Sequence, residues 1–368
     1  MRRLKRFAMT KGSIALRPIL CALFITTLTL TLMSGPARAE IKGELVGTKV
    51  IWDQARINRD SDIVRFKDRW FVVCQETPFE ASTEAALRVI SSKDGDQWES
   101  VALIKSPTPG RNLYRPSFSL TPDGQLMIAA QGAMRWEFFD KSKPEPTPRR
   151  LAMAWFSKDG GTWSEPTPIT GGDGYVLNRV VWNKDVALGF ARGESCGNWD
   201  INLFSSRDGK SFESVFASHF DNESRPGTLA MIVDGDRAHC LMSRYSANEV
   251  TGQETRWPWK TGLLGTAKGP HYDEWEWKAI NVPIAHANLL RLPDQRIIAV
   301  AGLNDPEYRT SLFEFDVATR KLTEFLELPK EWHRVSPAHH DGHLWVSYHV
   351  EHAVNDDVHL AKVKLTPQ

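Results

Sequence analysis

The chain has 368 residues, 46 Lys and Arg against 45 Asp and Glu, and 41 % apolar residues. Residues 1–39 hold seven of the basic residues and no acid, so the rest carries 39 basic against 45 acidic residues, a net of −6. A mildly acidic chain without a basic, aromatic-interleaved patch excludes nucleic acid as a natural partner.

The first element is an export segment. Arg2, Arg3, Lys5, Arg6, Lys11 and Arg17 precede an apolar run over 19–33, followed by Ala37-Arg38-Ala39, a small-x-small cleavage pattern. The run is too short for a membrane span and reads as a signal peptide, with export to the periplasm or medium and a mature chain from Glu40. Cys21 sits inside the run rather than at its end, which argues against a lipid anchor. Residues 40–368 are then one large all-β domain with no linker and no low-complexity run.

Within it, a strand-turn-strand unit over 63–73 is followed by a hairpin tip, Ser92-Lys93-Asp94-Gly95-Asp96-Gln97-Trp98. The pair returns as a unit over 117–128 with the tip Ser157-Lys158-Asp159-Gly160-Gly161-Thr162-Trp163. It returns again over 180–190 with Ser206-Arg207-Asp208-Gly209-Lys210-Ser211-Phe212. Ser and Asp oxygens at such a tip bond the turn's own amides, Gly supplies a positive φ, and the aromatic packs back between strands. The tips are therefore structural. Less regular units follow over 229–242, 289–300 and 337–348, which predicts a six-bladed β-propeller. The last blade lacks a strand, and residues 48–53 are expected to supply it and close the ring. Prolines exclude a strand over 136–149, read as an inserted loop, and a second insertion over 246–260 carries Trp257-Pro258-Trp259. Cys74, Cys196 and Cys240 allow at most one disulfide, and Cys74 and Cys240 read as buried thiols. His339, His340, His349 and His352 fall in and beside a strand-turn-strand unit, and neither a metal nor a cofactor is expected.

The residues heading each inner strand converge at one mouth of the central channel. They are Asn58-Arg59-Asp60, Tyr114-Arg115, Asn178-Arg179, Asn222-Glu223-Ser224-Arg225, His286-Ala287-Asn288 and His333-Arg334. Arginines gathered at a concave end suit an anion, because guanidinium forks bind carboxylates in pairs of hydrogen bonds. Inter-blade ion pairs with Asp60, Asp62 or Glu223 are the alternative for any one of them.

The repeated Asp-box tips on a six-bladed propeller resemble the sialidase (neuraminidase) superfamily over essentially the whole mature chain. That resemblance implies a substrate carboxylate held by three arginines, at the positions of Arg59, Arg244 and Arg309. It also implies a tyrosine opening the last blade, where this chain has His333-Arg334, and an activating glutamate, for which Glu223 is the candidate. Two readings stay open. The first is an exo-acting glycoside hydrolase for an acidic sugar, with Asp62, Glu84 or Glu223 as acid/base residues and Arg59, Arg115, Arg179, Arg244, Arg309, Arg334 and His333 binding substrate. The second is a non-catalytic propeller that binds an acidic glycan or a protein through the same mouth.

Overall fold

The computed structural model describes residues 40–79, 82–134, 150–169, 174–193, 199–220, 224–245, 259–304, 308–329 and 333–367. Residues 1–39, read as an export segment, residues 136–149, read as an inserted loop, and Glu80, Cys196, Glu223 and Trp257 lie outside the described residues.

The described residues form twenty-four strands, almost all antiparallel. After β1 (Ile41–Trp52) come β2 (Ile57–Phe66), β3 (Arg69–Thr77), β4 (Ala86–Ser92) and β5 (Glu99–Ile104). Four separate four-stranded sheets follow. They are β6 (Arg111–Leu120), β7 (Leu126–Met134), β8 (Arg150–Ser157) and β9 (Thr167–Pro168); β10 (Tyr175–Asn183), β11 (Val186–Gly193), β12 (Trp199–Ser206) and β13 (Glu213–Phe220); β14 (Arg225–Asp234), β15 (Arg237–Tyr245), β16 (Trp259–Lys268) and β17 (Trp275–Pro283); and β18 (Ala285–Arg291), β19 (Ile297–Asn304), β20 (Tyr308–Asp316) and β21 (Lys321–Glu327). The chain ends with β22 (His333–His340), β23 (His343–Glu351) and β24 (Asp356–Pro367), and β1 pairs along β24 from Ile41↔Pro367 to Trp52↔Val358. A single parallel bridge, Ile57↔Asp356, joins this group to β2–β5 as one eight-stranded sheet. The strand expected over 48–53 is thus longer, and it sits where the two ends of the described residues meet. Trp259 and Lys260, expected in a loop, open β16.

Sheets that face a neighbour on both sides dictate the sequence of their middle strands. β3, β7, β11 and β15 are buried almost throughout, so they read as unbroken apolar runs such as Trp70-Phe71-Val72-Val73-Cys74 rather than as alternating ones. The outer strands β5, β13 and β17 are largely exposed. The apolar clusters lie between consecutive groups of strands, and one of them joins β22–β24 back to β2–β5 through Ile63, Trp70, Val72, Val358 and Leu360. There the Trp70 ring lies 4.8 Å from that of Trp345. This is a β-propeller, with Cys74 and Cys240 as buried free thiols. No helix among the described residues is long and apolar enough to cross a membrane.

The three tips share one hydrogen-bond pattern. The Gly95, Gly160 and Gly209 amides donate to Ser92, Ser157 and Ser206 Oγ at 2.8, 2.7 and 2.8 Å. Asp94, Asp159 and Asp208 Oδ1 each accept two further backbone amides of their own turn. Those amides hold Asp94 and Asp159 down to about 2, and Asp208 lower still. Trp98 and Trp163, expected in the core, are only half-buried against it. The tightest contact belongs to the glycines instead. A Cβ on Gly95 would meet the Trp345 ring at 2.5 Å, and one on Gly160 would enter the Phe71 ring.

Two predictions follow from these turns. Gly124 and Gly160 have φ of +76° and +81°, but only Gly160 is crowded. Gly124→Ala should cost about 1 kcal/mol from the backbone alone, and Gly160→Ala about 1–3 kcal/mol more from overpacking. Equal losses in denaturant melts would show that the tips do not pack on the neighbouring sheet. The second concerns acid. Carboxylates with a lowered folded pKa contribute stability that is complete above about pH 4 and lost as pH falls through about 2. An Asp94→Asn/Asp159→Asn variant should therefore lose less stability than the parent between pH 4 and 2.

Candidate functional site

Each of the six inner strands, β2, β6, β10, β14, β18 and β22, slips register once. The slips fall between Arg59 and Asp62, Tyr114 and Ser117, Leu177 and Val180, Pro226 and Leu229, Ala285 and Asn288, and His333 and Ser336. A bulge of this kind breaks the in-out alternation and re-aims a side chain. In four of them the re-aimed residue is a non-glycine with left-handed φ: Asp60 (53°), Arg115 (52°), His286 (47°) and Arg334 (46°). Such a backbone costs about 1–2 kcal/mol per residue, and all four line one cavity at the centre of the ring. The residues expected ahead of the inner strands therefore lie inside them. The loss of alternation at the bulge is what made them read as preceding loops.

Asp62 lines this cavity. Its Oδ1 accepts from Arg179 of β10 and from the Ser336 hydroxyl of β22, and its Oδ2 accepts from the Phe118 amide of β6 at 2.5 Å. Asn288 of β18 adds a bond to Ser336 Oγ at 3.3 Å. Asp62 is only 2 % exposed, so every face of this carboxylate is committed to holding strands together.

Asp60 pairs with Arg334 at 2.5 Å, and the Asp60 amide donates to His349 Nδ1 at 3.4 Å. Burial would raise the Asp60 pKa, but Arg334, Arg115, His349 and His286 together hold it below the usual carboxylate range, and Asp60 is ionised. Arg115 is the opposite case. Burial, followed by the like charge of Arg334, brings its pKa down to about 10. Its guanidinium lies 6.0 Å from the Tyr114 ring and has no ion-pair partner among the described residues. Asn178 Nδ2, also in the lining, is buried without a hydrogen-bond partner among the described residues. The cavity measures about 110 Å³, and three guanidiniums face two carboxylates across it.

Arg115, Arg179 and Arg334 are therefore brought together with Asp62, as the sequence reading grouped them. The structure places the other candidates elsewhere. Arg59 pairs with Asp356 and approaches Glu351 at 4.0 Å. Arg244 bonds the Thr261 carbonyl at 2.6 Å and Ser224 Oγ at 2.9 Å. Arg309 is paired with Glu324, 3.0 Å to Oε2, on the outer strands β20 and β21. Glu84 is exposed and does not line the cavity. Glu223 lies outside the described residues, and His333 opens β22 opposite His349. The sequence places Asp60 and His286 at the mouth without a role in the site, and it leaves His349 out of the mouth altogether. Asp60 and His286 carry a signal, since each stands two residues before the end of its bulge, like Arg115 and Arg334. His349 carries none, because it reaches the site from the middle strand β23.

If Asp62 is the clasp, its loss leaves the part-buried Arg179 without its carboxylate and the buried Phe118 amide without its acceptor. Asp62→Ala should then cost about 3–5 kcal/mol, against less than about 0.5 for Glu84→Ala. A small loss at Asp62 in urea melts would reject the clasp.

No protein-family model and no curated protein matches the sequence. Solved structures do match in fold. A Dyadobacter fermentans protein of unknown function superposes with a TM-score of 0.70 at 14 % identity, over 88 % of this chain and 99 % of that one. Trypanosoma rangeli sialidase gives 0.61 at 11 % identity, and this chain, matched over 84 % of its length, spans 55 % of the sialidase. An α-L-arabinofuranosidase from Fusarium graminearum, in complex with an iminosugar inhibitor, gives 0.64 at 12 % identity, over 87 % of this chain and 98 % of that one.

Proposed function

We propose that this is an exported, glycan-active six-bladed propeller whose central mouth takes the carboxylate of an acidic sugar. The blade count reads the eight-stranded sheet as two blades joined by the lone Ile57↔Asp356 bridge, with the three Ser-x-Asp-Gly tips as Asp boxes. The observation that carries the function is Arg115, a desolvated cation that makes no ion pair among the described residues and whose nearby carboxylate, Asp60, is already paired with Arg334. Arg334 stands beside it, paired with Asp60. A carboxylate between the two arginines would restore local neutrality and accept charge-assisted bonds. The small cavity suits one terminal group rather than a chain interior. The fold neighbours, a sialidase and an arabinofuranosidase, agree with a carbohydrate partner.

Hydrolysis is the second reading, and Asp60 favours it. An ionised carboxylate held among two guanidiniums and two imidazoles can stabilise positive charge at a reacting carbon, although its lowered pKa makes it a weak base. Asp62 is fully hydrogen-bonded, so it fits a structural part better than the acid/base part expected of it. With no tyrosine opening β22, turnover by the tyrosine route is not expected.

Binding of sialic, glucuronic and galacturonic acids by calorimetry tests the proposal. Arg115→Ala should cost roughly 2–4 kcal/mol of binding, about thirty- to a thousand-fold, while Arg207→Ala on an exposed tip should change nothing. A fluorogenic sialoside should show little or no turnover. Indifference of every acidic sugar to Arg115→Ala would reject the site.

A further inference from the structure

A second cluster lies on the last hairpin, away from the cavity lining. β23 ends at Glu351 and β24 begins at Asp356, and the turn between them is closed by the His352 amide donating to the Asn355 carbonyl at 2.9 Å. Along β24 the side chains alternate. Val358 and Leu360 pack towards β2–β5, while Ala361 and Val363 pack towards β18–β21. Asp357 and His359 share the second face, because side chains two apart on a strand point the same way. His352, Asp357 and His359 bring one donor atom each to within 4.8 Å of one another.

Three details make this more than a surface ion pair. Asn355 Nδ2 donates to Asp357 Oδ1 at 2.9 Å, which leaves Oδ2 directed at His352 Nε2, 3.4 Å away. The His359 ring is stacked on Tyr348 at 5.2 Å and is flanked by Val50 of β1, so its orientation is fixed by packing. Its Nε2 is buried without a hydrogen-bond partner among the described residues. A buried imidazole nitrogen that the protein leaves unused needs another partner.

We propose that His352, Asp357 and His359 bind a first-row divalent transition ion, with zinc as the reference case. Two imidazoles and one carboxylate suit such ions and not calcium or magnesium, which prefer oxygen alone. Zinc bonds of about 2.0–2.1 Å place tetrahedral ligands about 3.3 Å apart, close to the His352–Asp357 separation already present. His352 is half exposed and provides the entry route. Asn355 takes the outer position that orients the carboxylate. Three protein ligands leave one position open. The ion would tie the β23–β24 turn to β24, the strand that β1 also pairs with. The sequence reading, which expected no metal, considered His352 only with His339, His340 and His349, and not with Asp357 or His359.

The test is zinc titration of the chelator-stripped protein, read by calorimetry and by thermal melting. The expected result is one site whose occupancy raises the melting temperature. His352→Ala and Asp357→Asn should weaken zinc binding at least about 100-fold, and Asn355→Ala about 10-fold. Because His352 lies in an exposed turn, its alanine variant should keep the parent's metal-free melting temperature, which separates lost ligation from lost folding. Cobalt substitution should give the visible absorption of a low-coordinate site in the parent and not in His352→Ala. Equal zinc affinity in the parent and His352→Ala, or no binding to the parent, would overturn the proposal.

Discussion

Asp62 is where the inner strands meet. One buried carboxylate accepts from β6, β10 and β22, and Asn288 ties β18 to the same point through Ser336. A charge removed from water this completely is tolerable only when its partners are fixed. The sheets have to hold Phe118, Arg179 and Ser336 in register for Asp62 to be satisfied, and Asp62 in turn fixes where the bulges fall.

The bulges then decide what the cavity presents. A regular strand would send Asp60, Arg115, His286 and Arg334 along the alternating faces of the sheets, into the interfaces between neighbours. A single left-handed residue in each turns the side chain into the channel instead. Backbone strain of this kind persists only when the surroundings impose it, and here all four cases sit around one small volume of like and unlike charge. Asp60 and Arg334 neutralise each other, while Arg115 keeps its charge at the expense of its solvation. The proposed anion would complete the arrangement.

Most of the fold was legible because its punctuation is chemical. Ser-x-Asp-Gly predicts a turn whose amides bond the Ser and Asp oxygens, and the structure has those bonds at all three tips. The unbroken apolar run 70–74 is also readable once a strand is known to be covered on both faces. The half-exposed Trp98 and Trp163 were less so, since the tip's closest packing comes from glycine against Trp345 and Phe71, a contact no local pattern records. Of the arginines grouped from the sequence, Arg115, Arg179 and Arg334 line the cavity, and their division of labour has no local pattern. Arg59, Arg244 and Arg309 resemble Arg115 in sequence, but carbonyls and carboxylates from other strands occupy them. Pairing across strands many residues apart has no local signature, and neither does the arrival of His349 from β23.

Crystals soaked with an acidic monosaccharide such as N-acetylneuraminic acid, and in parallel with neutral arabinose, test the central claim most directly. The account predicts the acidic sugar's carboxylate within hydrogen-bond distance of the Arg115 guanidinium, with Asp60 still on Arg334 and Asp62 unchanged. It also predicts no arabinose at that position. Arg115 bonded to a carboxylate of the protein itself, with the mouth empty under both sugars, would contradict it.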